Sequence, residues 1–156
     1  MTKIFPDISI PNGICFSPDG TIGYFVDTME NRYMRVLLDP LNGLPISEPQ
    51  IFVDEAGQDG GIDGSVCDTD GYVWNAHWGI GEVHRYSPNG EKVAIYTLPA
   101  KLTTCPAFIG QAADRLLVTT ASEGYDAEGF KTDPEAGYTY DLGIAVKGVF
   151  DPAYRP

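Results

Sequence analysis

Apolar residues along this chain come in short bursts cut by Gly, Pro, Asn and Asp, and helical spacing is hard to find. The bursts Ile14–Phe16, Ile22–Asp27, Met34–Leu38 and Ile51–Val53 predict one run of strands joined by turns. The same order returns in Ser65–Cys67, Tyr72–Ala76, Glu82–Tyr86 and Val93–Leu98. A third, less regular set comprises Ala107–Ile109, Arg115–Thr120 and Gly137–Tyr140, with Val146–Val149 as a candidate fourth member. The best helical candidate, Glu123 to Thr132, contains Gly124 and Gly129 and is too polar for more than a turn or two.

The first two sets are copies of one unit. PNGICFSPDG lies over IDGSVCDTDG, placing Asn12 on Asp63, Gly13 on Gly64 and Gly20 on Gly71, with Cys15 and Cys67 one position out of step. The third unit, PAFIGQAADRLLVTTASEG, keeps the strand-turn-strand outline without the opening Asn/Asp-Gly pair. Four strands per unit at a period of roughly 40–50 residues is the signature of β-propeller blades. A β-sandwich of similar strand count would not require this internal similarity. The expected architecture is therefore all-β, a partial propeller of about three four-stranded blades at approximately 8–55, 58–99 and 103–150. Propellers close with roughly four to eight blades. Three would leave unpaired edges at both ends, so the chain is expected to be a piece of a longer polypeptide, to assemble with another copy, or to be capped.

Composition narrows the function. With 43% hydrophobic and 21% charged residues the 156-residue chain is ordinary globular protein. A net charge of −12 with no basic cluster argues against nucleic acid and is compatible with cation binding. Cys15, Cys67 and Cys105 are far apart, and two of them fall in apolar runs, which reads as core packing rather than redox chemistry. Two histidines, His77 and His84, make an all-histidine zinc site a poor candidate. Residues 1–10 lack the features of a signal peptide and no apolar run is long enough to span a bilayer. A soluble cytoplasmic protein with no membrane partner is the default expectation.

The ordered match of PNGICFSPDG, IDGSVCDTDGYVWNAHWGIGEVHRYSPNGE, LPAKLTTCPAFIG, LLVTTASEG and EAGYTYDLGIAVKGV resembles the second half of the SMP-30/regucalcin/gluconolactonase family. It covers nearly the whole chain, from about Pro11 to Val149. The resemblance implies half of a six-bladed propeller with one divalent metal ion at the channel mouth. It implies that the metal is held by a Glu, by the Asn of the PNG motif and by the Asp of the later DG motif. The last two fall on Asn12 and Asp63; the Glu, and an Arg and Asn that hold the sugar lactone, belong to blades earlier than this sequence.

Read as dipeptides alone, Asn-Gly and Asp-Gly are favoured turn residues. In a propeller, however, equivalent positions at the starts of inner strands converge on one end of the channel. A carboxylate and an amide oxygen there would be hard ligands, best suited to calcium, with zinc, magnesium or manganese as alternatives. Asp63 is then both metal ligand and candidate general base for hydrolysis of an aldonolactone. Asp19-Gly20 and Asp70-Gly71 fall between strands and read as turns only.

Asp27 and His77 are expected at the same rim. Trp78 would stack on a sugar face or pack between blades, and Thr103, Thr104 and Cys105 should approach the channel mouth. Asp27, His77, Trp78 and Thr104 are thus the candidate substrate contacts. Glu123, Asp126 and Glu128 read as a solvated loop, and Arg35 and Arg85 as structural. The competing expectation is a non-catalytic divalent-cation or ligand-binding half-propeller that needs its missing half, or a homodimer that completes the ring.

Overall fold

The computed structural model describes residues 3–150. Strands β1 (Pro11–Phe16), β2 (Ile22–Asp27), β3 (Arg32–Leu37) and β4 (Gln50–Asp54) pair antiparallel in that order as a first sheet. Strands β5 (Gly61–Cys67), β6 (Val73–Trp78), β7 (Glu82–Tyr86) and β8 (Lys92–Thr97) repeat it as a second. The third sheet holds β9 (Thr103–Ile109), β10 (Arg115–Thr120) and β11 (Thr139–Asp141), with the short helix α1 (Gly129–Thr132) between β10 and β11. The opening strands β1, β5 and β9 pack side by side. Three blades therefore fan out from a row of inner strands, as the repeat predicts.

Packing between blades explains the local patterns. Cys15, Tyr24, Val26, Tyr33 and Phe52 of the first blade meet Ile62, Cys67, Val73 and Tyr86 of the second in one core. Trp74, Val83 and Leu98 meet Leu116, Val118 and Val146 in the other. The middle blade is covered on both sides, so β6 is buried at every position from Val73 to His77. β1 alternates instead: Gly13 and Cys15 are buried while Ile14 and Phe16 are 64% and 56% exposed. Cys67 joins Cys15 in the first core, whereas Cys105 is exposed.

The turns match their expected chemistry with one shift. Asp19 Oδ1 accepts from the Ser17 hydroxyl and from the Thr21 N–H and hydroxyl, closing the β1–β2 turn. In the second blade that role moves to Asp68, whose Oδ1 accepts from the N–H groups of Asp70 and Tyr72. Asp70 itself faces Lys147 at 3.6 Å.

The third blade departs from the four-strand expectation. Val146–Val149 forms no strand; the Val146 and Gly148 N–H groups donate to Asp114 and Ala113, and Lys147 O accepts from the Thr69 N–H. The segment is tied to the β9–β10 turn and to the second blade rather than to β11. Val146 packs into the second core there, while Lys147 and Val149 stay exposed.

Candidate functional site

Asn12 and Asp63, fifty-one positions apart in sequence, meet across adjacent inner strands. The Asn12 side-chain amide donates to Asp63 Oδ1 at 2.6 Å, and Asn12 Oδ1 accepts from its neighbour's Gly13 N–H at 3.0 Å. Neither residue sits in a hairpin turn. Each lies where its inner strand slips register: β1 against β2 between Asn12 and Cys15, β5 against β6 between Ile62 and Ser65. These β-bulges bend the strand and re-aim a side chain, which frees both polar residues from strict alternation and turns them toward one another.

The glycines that follow make the approach sterically feasible. Gly13 has φ +59°, and a Cβ there would lie 3.1 Å from Asp63 O. A Cβ on Gly64 would lie 2.7 Å from Thr104 O and 2.6 Å from Cys105 Sγ. The first two inner strands thus each present a glycine to the start of the next. Residues further along the same strands, among them Cys15, Ser65, Cys67 and Cys105, line a groove of about 950 Å³. Asn12, Asp63 and Thr104 precede that lining, at the strand starts.

Burial pushes the Asp63 carboxyl above the ordinary carboxylate range, and the hydrogen bonds from Asn12 and the Gly64 backbone only partly offset it. A desolvated carboxylate beside a rotatable amide is a suitable pair of oxygen donors for a hard divalent cation, which would favour the ionised form and relieve that penalty. Among the described residues no cluster of three or more His, Cys, Asp or Glu side chains is placed to hold a metal.

The other expected contacts are placed differently from one another. Asp27 ends β2, but its carboxylate accepts from the N–H groups of Ser9, Ile10 and Met29, which tie the N-terminal segment to the turn after β2. The bond from Ser9, above all, holds Asp27 below the usual carboxylate range. His77 pairs with Ile62, beside Asp63, but the residue is buried, 1% exposed, and packs within the blade. Its ring lies tilted by 31° against His84 with centroids 3.6 Å apart and hydrogen-bonds the Tyr86 hydroxyl at 3.2 Å, in the middle blade, which the first and third blades cover on its two sides. Trp78 is half-buried, opposite Gly61 and bridged to Leu102. Thr104 is half-buried with its hydroxyl on that of Thr119 at 2.6 Å. Glu128 is exposed and paired to Lys131, in keeping with a solvated loop. Arg85 binds buried Asp68 at 2.9 Å and lies over the rings of Tyr72 and Trp74, which is structural.

Three residues behind the site escaped the sequence reading. Tyr33, Ser65 and Asn75 contact the backbone of the two bulges. The available signal was Asn75 itself, a lone amide inside the apolar run VWNAHW.

Residues 1–122 match the family model described as SMP-30/Gluconolactonase/LRE-like region. A Rhizobium meliloti protein described as a candidate sugar lactone lactonase is 52% identical over 99% of this chain and 53% of its own length. L-arabinolactonase of Azospirillum brasilense is 36% identical over 85% of this chain and 43% of its own. The crystal structure of a calcium-binding protein, regucalcin, from Agrobacterium tumefaciens superposes with a TM-score of 0.96 at 57% identity, covering 99% of this chain and 52% of that one. The chain spans about half the length of the relatives it matches. With more than half of its residues under the family model, the chain belongs to the SMP-30/gluconolactonase/LRE-like family.

Proposed function

We propose that this chain supplies half of a metal-dependent sugar lactone hydrolase. The observation that carries the reading is the 2.6 Å meeting of Asn12 and Asp63 at the starts of adjacent inner strands. The lactonase names of its relatives support a small sugar lactone as the substrate class. Asn12 and Asp63 would hold one divalent cation, calcium first on the chemistry of oxygen donors, with zinc, magnesium or manganese as alternatives. A cation bound there supplies a Lewis acid and a water of lowered pKa.

Asp63 takes the base role. Its carboxylate accepts a proton as a water oxygen bonds to the lactone carbonyl carbon; the ring ester C–O bond then breaks and the ring oxygen regains a proton, giving the aldonic acid. A carboxyl raised by burial is better matched to this transfer than an exposed one. Asn12 holds Asp63 in place through its amide and offers its own oxygen when that amide rotates.

A second reading has specific support. Among the described residues one carboxylate reaches the site, that of Asp63, and by the family resemblance the third ligand lies in earlier blades. A cation- or ligand-binding half-propeller that is non-catalytic without its complement fits that deficit. The outer face of the first blade favours a complement: Ile14 and Phe16 are exposed, and Ile4, Phe5, Ile8 and Phe25 line an apolar groove of about 240 Å³ beside them. Either the preceding blades or a second copy of this chain would cover it.

Lactone hydrolysis followed by pH-stat, with and without calcium, zinc, magnesium or manganese, tests the enzyme claim on this chain. A metal-dependent rate supports it; calcium binding with no turnover on any aldonolactone favours the second reading.

A further inference from the structure

Behind the two candidate ligands runs a buried polar chain that joins the first and second blades. The Tyr33 hydroxyl, fully buried, donates to Gly13 O at 2.7 Å and lies 3.3 Å from Cys15 Sγ. Ser65 Oγ donates to Asp63 O at 3.4 Å and would stand 3.3 Å from a Cβ on Gly13. Asn75, 0% exposed, donates from Nδ2 to Ser65 Oγ at 2.7 Å, to Asp63 O at 3.0 Å and to Gly64 O at 3.3 Å. The carbonyls so engaged are those that the bulges at Asn12-Gly13 and Asp63-Gly64 release from the strand ladder.

Packing does not explain these side chains. Asn75 Oδ1 has no hydrogen-bond partner although it is buried, and an apolar residue of that size would sit in β6 without that cost. What Asn75 supplies there is its donors. Tyr33 reaches the first bulge from β3, Asn75 the second from β6, and Ser65 stands between them.

We infer that Tyr33, Ser65 and Asn75 are positioning residues that fix the two bulges relative to each other and so set the spacing of the Asn12 and Asp63 side chains. The inference rests on the reading of those two as cation ligands. Their hydrogen bonds go to the bulge carbonyls Gly13 O, Asp63 O and Gly64 O, so they act through the backbone. Groups that orient ligands from behind typically change metal affinity by roughly ten- to a hundredfold when removed.

Tyr33→Phe and Ser65→Ala each remove one hydroxyl from the chain with little change of shape, so neither depends on Asn75→Ala folding. The probes are calcium binding by titration calorimetry and the side-chain amide resonance of Asn12 by NMR without metal, with thermal melting as the control for fold. The expected result is a shifted Asn12 amide signal in both variants and a roughly tenfold or greater weakening of calcium binding. The double variant should weaken binding no more than the stronger single one, because the network acts as a unit. Folded variants with unchanged Asn12 signal and unchanged calcium affinity overturn the inference. If the parent chain binds no calcium but the Asn12 signal still moves in both variants, the positioning network stands and the metal reading fails.

Discussion

Gly64 packs directly on Cys105 of the next inner strand: a Cβ at position 64 would come within 2.6 Å of Sγ and 2.7 Å of Thr104 O. The second of those atoms is backbone and cannot swing aside. Gly64→Ala should therefore force β5 away from β9 and destabilise the chain by about 1–3 kcal/mol. Thermal or urea unfolding followed by circular dichroism measures this. Gly20→Ala is a useful contrast: its Cβ would meet nothing, so any loss there reflects only its φ of +71°.

Asp63→Asn keeps the shape of the site and the size of the side chain while removing the proposed base and its charge. The lactonase rate should fall by roughly a hundredfold or more, with the far-ultraviolet circular dichroism unchanged. An unaltered rate would refute the role given to Asp63. Asn12→Ala should weaken calcium binding too, since it removes one proposed oxygen donor and the hydrogen bond to the other.

His77 and His84 predict acid sensitivity. They share the Tyr86 hydroxyl, which contacts Glu55, and His84 also contacts Glu82; Lys92 pairs with Glu55 beside them. Burial first, then the charges of His84 and Lys92, lower His77 from 6.5 to about 3. Burial lowers His84 as well, against the opposing pull of Glu82. Between these limits the unfolded chain binds more protons than the folded one, so stability falls as pH drops below 6.5 and continues to fall toward 3. Urea midpoints across that range should decline, and His77→Phe should flatten the decline. Equal slopes for the two proteins would contradict this account.

Asp68 is nearly fully buried and accepts from Trp74 Nε1 at 3.0 Å, Arg85 at 2.9 Å and two backbone N–H groups. Asp68→Ala leaves these donors without their acceptor and breaks a partly buried ion pair. A loss of about 2–4 kcal/mol follows, read as a lower unfolding midpoint. Arg32→Ala, whose partners are exposed, should cost less than about 1 kcal/mol.

The open face of the first blade predicts association. Replacing Ile14 and Phe16 with lysine should weaken self-association measured by light scattering, because two exposed apolar side chains leave the face that a second copy would cover. A parent chain that stays monomeric at all concentrations removes the second copy as the complement and leaves the preceding blades.

How much was legible depended on the range of the interaction. Strands such as Ile22–Asp27 and Glu82–Tyr86 were read with their observed limits, since alternation and bounding turns are local signals. The starts of the inner strands were missed by several residues: β1 begins at Pro11 and β5 at Gly61. There Pro, Asn, Asp and Gly imitate a turn, and the pairing that makes them strand comes from a neighbour. The fourth strand of the third blade was misread because Val146–Val149 is apolar for a different reason, burial of Val146 against the second blade.

The sequence by itself determined the strand count of the first two blades, their repeat, and the equivalence of Asn12 and Asp63, because period and register are written in nearest-neighbour patterns. Only the tertiary structure decided that these residues stand in bulges rather than turns, that Asp27 is held by backbone N–H groups, and that His77 is buried. The same holds for the line of Tyr33, Ser65 and Asn75 behind the site. Each depends on which strand of which blade comes to lie alongside. A β-ladder and an inter-blade core fix that through contacts between residues tens of positions apart.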